Sequence, residues 1–181
     1  MKGWRVAIVL SFLLLSGCLV TFKQPLPADQ AAPAALLGKW TSKDAWGESL
    51  NLEIKAAGGN RYRAISYPKG KSGQRDEYVF SVARHGSRWY LSAPVPQKFG
   101  GHFTLAGFEL TDKHELVVYN LDMDQLRQAQ GAAALSWEAV ETQEGEGLLV
   151  TSEQKQVFAY LDDPANSDVF VEAARYQRRG Q

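Results

Sequence analysis

Short runs in which every second residue is apolar dominate the middle of this chain. Between residues 48 and 55, for example, Leu50, Leu52 and Ile54 alternate with polar residues. This period of two is typical of a strand with one buried face. The same alternation returns after short glycine-containing turns, in the runs 61–67, 77–84, 88–92, 102–111 and 115–121. Closely spaced strands of this kind predict an antiparallel meander. We therefore expect one mostly β (α+β) domain, folded as an antiparallel barrel or a strongly curved sheet.

One of these runs changes phase. Phe103 and Leu105 fall on one face of the predicted strand, whereas Phe108 and Leu110 fall on the other. Gly107 lies at the change, and a glycine at such a point predicts a β-bulge.

The last third of the chain interrupts the strands with two predicted short helices. Asp122 is a candidate N-cap for a helix over residues 122–133, and Thr151 or Ser152 for a second helix that ends near Leu161. Strands are expected around these helices, over residues 135–140, 148–150 and 170–177.

The N-terminus has the composition of a secretory signal. Lys2 and Arg5 precede an apolar run over residues 6–15, and the small residues Ser16 and Gly17 follow it. The apolar run is about half the roughly 20 residues that a membrane-spanning helix needs. We therefore expect a cleaved signal rather than a transmembrane segment.

The residues Leu15, Ser16, Gly17 and Cys18 resemble the lipobox of bacterial lipoproteins. The resemblance implies that residues 1–17 are removed and that Cys18 becomes a lipid-modified N-terminus, which anchors the protein in a membrane. In Gram-negative lipoproteins an aspartate after the cysteine favours the inner membrane. Leu19 in that place implies the outer membrane, with the protein facing the periplasm. An ordinary signal cut elsewhere, with a chance cysteine, is the alternative.

The mature chain is expected to have two parts. Residues 18–35 are rich in proline and alanine, which predicts a semi-extended tether behind the lipidated cysteine. Residues 36–181 form the predicted globular domain. Its opening residues Gly38, Lys39 and Trp40 resemble the start of lipocalin-like barrels, in which the tryptophan closes one end of the barrel and the interior holds a ligand.

Composition excludes some partners. Loss of Lys2 and Arg5 with the signal leaves 18 basic and 20 acidic residues, so the basic surface that nucleic acids require is not expected. Cys18 is the single cysteine. Disulfides and cysteine metal sites are therefore excluded.

No motif in the sequence predicts an enzyme, a cofactor or a metal site. The serine elbow and the phosphate-binding loop are absent. His85, His102 and His114 lack the spacing of a zinc site. Asp122 and Asp124 begin like a calcium loop, but helix capping accounts for both. We accordingly predict no catalytic residue and a protein that is not an enzyme.

Four aromatic residues are the predicted ligand-facing set. Phe80, Trp89, Phe103 and Trp137, together with Tyr78, alternate toward the expected interior. They either fill a solid core or line a cavity for an apolar ligand. Two functions remain open: a lipid-anchored envelope protein that binds an apolar small molecule, and a structural module that binds another envelope protein.

A basic loop is the last candidate site. Lys69, Lys71 and Arg75 lie together in it, and Arg61 and Arg63 lie on the preceding strand. This cluster is either a patch for anionic lipid headgroups or glycans, or an ordinary solvated loop.

Overall fold

The computed structural model describes residues 19–43, 49–129, 134–143 and 145–180. Cys18 and the signal precede these residues and lie outside the described part of the chain. The strands are β1 (Leu19–Phe22), β2 (Gly38–Lys43), β3 (Ser49–Gly58), β4 (Arg61–Pro68), β5 (Asp76–His85), β6 (Arg88–Pro94), β7 (Phe103–Leu110), β8 (Glu115–Leu121), β9 (Trp137–Thr142), β10 (Gly145–Val150) and β11 (Phe170–Arg178). The helices are α1 (Met123–Gln128) and α2 (Gln154–Asp162), and short 3₁₀ turns occur at Ala34–Leu36, Gln97–Phe99 and Pro164–Val169.

Eight of these strands form a closed antiparallel barrel, which confirms the predicted fold class. The strands β2 to β8 pair in chain order, and β11 closes the ring by pairing with both β8 and β2. In the described residues, the remaining strands β1, β10 and β9 extend the sheet outward from β7. The pairing of β1 with β10 is parallel, so the start of the described chain is held by a strand far along the sequence.

The segment predicted to be a tether is folded onto the barrel. Residues 19–22 form β1, and Val20, Thr21 and Phe22 are buried. Further along, Leu26 is 4% exposed and its carbonyl accepts a hydrogen bond from Ser81 Oγ at 2.7 Å. Val20, Phe22 and Leu26 of this segment pack in the apolar cluster outside the barrel.

Strand β7 contains no bulge, so the bulge prediction at Gly107 is wrong. The pairs from Phe103–Pro94 to Phe108–Trp89 continue without a shift. Both faces of β7 are covered instead. Phe108 points into the barrel cluster, whereas Leu105 packs in a second cluster outside it. Apolar residues on both faces imitate a change of phase.

Two apolar clusters hold the molecule together. One fills the barrel, and the other lies between its outer wall, β1, β10 and the two helices. The outer cluster explains why the C-terminal helices form where they do, because Val157, Phe158, Tyr160 and Leu161 of α2 are all buried in it.

The helix-capping prediction is confirmed for α1 and wrong for α2. Asp122 caps α1, accepting bonds from the backbone amides of Asp124 at 2.8 Å and Gln125 at 3.3 Å. The N-cap of α2 is Glu153, whose side chain makes no capping bond. The hydroxyl of the predicted cap Ser152 instead accepts a bond from the Ser136 amide.

Candidate functional site

The barrel encloses an apolar cavity of about 90 Å³. A single water needs about 10–15 Å³ of such space, so this volume is several times larger than one water site. The walls come from seven of the eight barrel strands and from the turn that precedes β2. The lining residues are Leu36, Leu50, Leu52, Ile54, Ala64, Ser66, Tyr78, Phe80, Leu91, Ala93, Thr104, Leu116, Val118 and Tyr176.

Small inward-facing side chains create this space. Ala64 lies opposite Tyr78 across β4 and β5, and Ala93 lies opposite Thr104 across β6 and β7. Where a barrel of this size carries large residues at every inward position, side chains fill the interior. The two alanines leave part of the interior open.

The phenol of Tyr78 is the distinctive polar group in the wall. Its oxygen is buried, and no hydrogen-bond partner for it is found in the described residues. Burial raises the pKa of Tyr78, and the negative charges of Asp76 and of an ionised Tyr176 would raise it further. The phenol therefore stays protonated and presents a hydrogen-bond donor.

Other polar groups lie near this donor. Ser66 and Thr104 line the cavity with their small side chains. Tyr176 is 9% exposed, and burial raises its pKa to about 12. The carboxyl of Asp76 begins β5 at the same end, where burial raises its pKa and the nearby charge of Lys98 partly offsets that effect.

The opposite end of the barrel is closed by a plug around Trp40. The indole is 1% exposed, and its Nε1 donates to the Leu36 carbonyl at 3.1 Å. The guanidinium of Arg178 lies 4.0 Å above the indole ring and donates through Nη1 to the Leu37 carbonyl at 2.7 Å. Gly38 has φ of 128°, and a Cβ there would meet Arg178 Nη1 at 2.5 Å, so glycine allows this close packing.

The four predicted ligand-facing aromatics occupy four different environments. Phe80 lines the cavity. Trp89 belongs to the barrel cluster but packs against Phe108, with ring centroids 6.0 Å apart, outside the cavity wall. Phe103 begins β7 and pairs with Phe22 of β1, on the outward phase of its strand. Trp137 is 37% exposed on β9, outside the barrel, with Arg127 5.9 Å from its ring.

Sequence reasoning missed the residues that leave the cavity open. Ala64 and Ser66 alternate with larger residues on β4, and this small-residue phase was the available signal. Tyr176 could not be assigned, because only closure of the barrel by β11 brings it opposite Tyr78.

The histidines serve local structure. His85 Nδ1 lies 2.7 Å from Asp162 Oδ2, and its ring stacks on Phe158 at 4.1 Å, which ties α2 to the barrel. His102 and His114 adopt positive φ of 62° and 59° in turns. No group of three or more metal-ligating side chains occurs in the part of the chain that the structure describes.

A second, much smaller cavity lies outside the barrel beside α2. Its volume is about 20 Å³, enough for a single water. Ser92 lines it, and the Ser92 hydroxyl has no partner among the described residues. A water there would satisfy this hydroxyl, so the pocket needs no functional explanation.

Comparison with protein-family models, with curated proteins and with solved structures finds no match for this chain. The likeness of Gly38–Trp40 to lipocalin-like barrels therefore rests on that short motif alone. Among the described helices, none has the length and apolar character needed to cross a bilayer.

Proposed function

We propose that this protein is a lipid-anchored protein of the bacterial cell envelope whose barrel binds an apolar small molecule. The observation that carries the proposal is the cavity of about 90 Å³, whose wall contains a phenol with no hydrogen-bond partner among the described residues. Ligand sites are typically apolar cavities with a few placed polar groups. This cavity has that composition. In this proposal the protein binds and does not catalyse.

The phenol of Tyr78 supplies the orienting contact. A buried donor without a partner costs free energy that a ligand acceptor recovers on binding. The ligand class is therefore an apolar chain that carries one acceptor, such as a carbonyl or an ester, close to Tyr78.

Ligand binding is tested first on protein gently extracted from its own membrane. Native mass spectrometry is expected to find a bound apolar molecule. In vitro, 2-undecanone, an apolar ketone with one acceptor, is expected to displace the fluorophore N-phenyl-1-naphthylamine from the stripped protein. A protein that carries no adduct and binds neither compound would contradict the proposal.

A pair of leucine substitutions locates the binding site. Ala64→Leu extends a side chain into the cavity, whereas Val79→Leu alters an outward position that is 40% exposed on the adjacent strand β5. We expect Ala64→Leu to weaken fluorophore binding at least about tenfold, equivalent to about 1.4 kcal/mol. Val79→Leu should leave it unchanged. Equal effects of both would place the fluorophore outside the barrel.

The anchor is tested at Cys18. Its thiol is the group that a lipoprotein modification needs, so Cys18→Ser is expected to release the protein from the envelope membranes or leave its signal uncleaved. Two or three acyl chains hold a protein almost permanently, since each buried methylene contributes about 0.8 kcal/mol. Membrane fractionation with palmitate labelling makes the measurement, and unaltered retention of the serine variant would refute lipid attachment.

A protein-binding role is the second candidate, and the strand β9 favours it. Among the described residues β9 pairs with β10 on one side only, and Trp137 is 37% exposed on it. An edge strand can accept a partner strand through its free backbone groups. Crosslinking in cells should then capture a reproducible partner with the unaltered protein but not with the Trp137→Ser variant. Capture of the same partner by both proteins would argue against this role.

A further inference from the structure

The two ends of the barrel differ in their connections. Short turns after β3, β5 and β7 lie at the end that the Trp40 plug closes. The longer connections 69–75 and 95–102 lie at the other end, which we call the loop end.

Positive charge at the loop end is concentrated in these two connections, whereas residues 44–48 between β2 and β3 contain Asp44 and Glu48. Loop 69–75 contains Lys69, Lys71 and Arg75 and no acidic residue, and loop 95–102 adds Lys98 and again no acid. The turns at the closed end, 59–60, 86–87 and 111–114, contain one lysine and one aspartate between them. The whole mature chain is slightly acidic, so this concentration of cations is local.

The cationic loop is also fixed by hydrogen bonds to backbone carbonyls. The Lys69 amide donates to the Ser49 carbonyl at 2.9 Å, and Arg75 Nε donates to the Ser72 carbonyl at 2.9 Å. Lys69 and Lys71 are exposed. Loop 69–75 leads into β5 and loop 95–102 follows β6, and these two strands pair, so the two loops lie side by side.

The anchor point lies beside the same loops. Leu19 pairs with Gly147, and a Cβ on Gly147 would lie 3.2 Å from a methyl of Val140. The same methyl lies 4.0 Å from a Cβ placed on Gly100, which belongs to loop 95–102. Val140 therefore lies between loop 95–102 and the strand pair that holds Leu19.

Cys18 is bonded directly to Leu19, the first residue of β1. Leu19 is already part of β1, and one residue of extended chain spans at most about 3.6 Å. A lipid on Cys18 would therefore hold this side of the domain at the membrane surface.

We propose that loops 69–75 and 95–102 lie against an anionic bilayer and contact its phosphate-bearing headgroups. This inference rests on lipid attachment at Cys18, which the proposed function includes. Lysine and arginine near an anionic surface are attracted to it over about one Debye length. The hairpin of β9 and β10 brings the acidic Glu141 and Glu146 to this side, where they lie opposite each other, and Glu146 is ion-paired with Arg127. In this orientation the end of the cavity that carries Tyr78 faces the membrane, whose lipids contain apolar chains.

Distance measurements on the full lipidated protein test the orientation. Single cysteines at Ser72, in the cationic loop, and Asp112, in a closed-end turn, receive a donor fluorophore. The vesicles contain phosphatidylcholine with or without phosphatidylglycerol and a headgroup-labelled acceptor lipid. We expect strong energy transfer from the Ser72 position, weak transfer from Asp112, and a larger difference when phosphatidylglycerol is present. Equal transfer from the two positions, or stronger transfer from Asp112, would overturn the proposal.

Charge reversal tests the headgroup contact. Lys69→Glu, Lys71→Glu and Arg75→Glu together should lower energy transfer from position 72 and abolish its dependence on phosphatidylglycerol. The matched control reverses Arg61, Arg84 and Lys113, which are exposed near the closed end, and should change neither. Equal loss in both triple variants would mean that net charge alone is responsible.

Failure of this inference can be told apart from failure of the proposed function. Flotation of the protein with pure phosphatidylcholine vesicles reports the lipid anchor, and displacement of N-phenyl-1-naphthylamine reports the cavity. A protein that floats and binds the fluorophore, yet shows no preferred orientation, refutes the inference alone.

Discussion

The phenol of Tyr78 has no hydrogen-bond partner among the described residues. Removing its oxygen is therefore expected to stabilise the empty protein and to weaken ligand binding. Tyr78→Phe removes one oxygen atom and leaves the ring in place. That oxygen is buried and has no partner among the described residues. In the empty protein the substitution therefore removes a desolvation cost and breaks no hydrogen bond to the described residues.

The expected magnitude follows from that cost. A buried unsatisfied hydroxyl costs about 1–3 kcal/mol. The free energy of unfolding of the stripped Tyr78→Phe protein should thus rise by about 1 kcal/mol or more, which raises Tm by about 2–4 °C for a chain of this size. In the loaded protein the phenol donates to the ligand, and its loss should weaken binding of 2-undecanone by about 0.5–1.5 kcal/mol.

Tyr90→Phe is the matched control. The Tyr90 side chain is 0% exposed, its hydroxyl also has no partner among the described residues, and it packs against Phe158 outside the barrel. This substitution should stabilise the stripped protein by a similar amount. It should leave the affinity for the ketone unchanged.

Urea unfolding of stripped and ketone-loaded protein, with direct measurement of ketone affinity, makes the comparison. A lower stability of the stripped Tyr78→Phe protein would refute the prediction, because the phenol would then have a partner, either in the chain or in a water held in the cavity. It also fails if Tyr78→Phe and Tyr90→Phe affect ketone affinity equally, since the phenol would then make no contact specific to the cavity.

Two further predictions concern the tyrosines and the plug. Burial raises the pKa of Tyr176 to about 12 and that of Tyr90 to about 12, whereas an unfolded tyrosine titrates near 10. Their contribution to stability is therefore complete below about pH 10 and is lost as the pH rises toward 12, at up to about 1.4 kcal/mol per pH unit for each tyrosine. Urea unfolding across this range should show a shallower loss for Tyr176→Phe, and an unchanged slope would contradict the burial argument. At the plug, Arg178→Ala removes the stack on Trp40 and charged hydrogen bonds to backbone carbonyls, at an expected cost of about 2–3 kcal/mol. Arg178→Lys should recover only part of this in thermal unfolding, and full recovery would show that charge rather than guanidinium geometry matters.

The sequence by itself determined the class of fold and much of its local structure. Alternation of apolar residues predicted the strands of the barrel, and Asp122 was correctly identified as the cap of α1. These features depend on neighbouring residues, because strand periodicity and helix capping are written in contiguous segments. The lipobox resemblance is equally local, and lipid attachment at Cys18 remains a prediction.

Only the tertiary structure decided which apolar side chains point into the barrel and which pack outside it. Phe103 and Trp137 alternate as Phe80 does, yet Phe80 alone among these three lines the cavity. The reason is that β7 is buried on both faces and β9 lies outside the barrel, and neither fact follows from the period of a single strand. In the same way, the extended segment after Cys18 has the composition of a tether, but pairing with the distant strand β10 makes its first residues part of the sheet. Long-range pairing assigns side chains to a shared interior, and that assignment is absent from any local pattern.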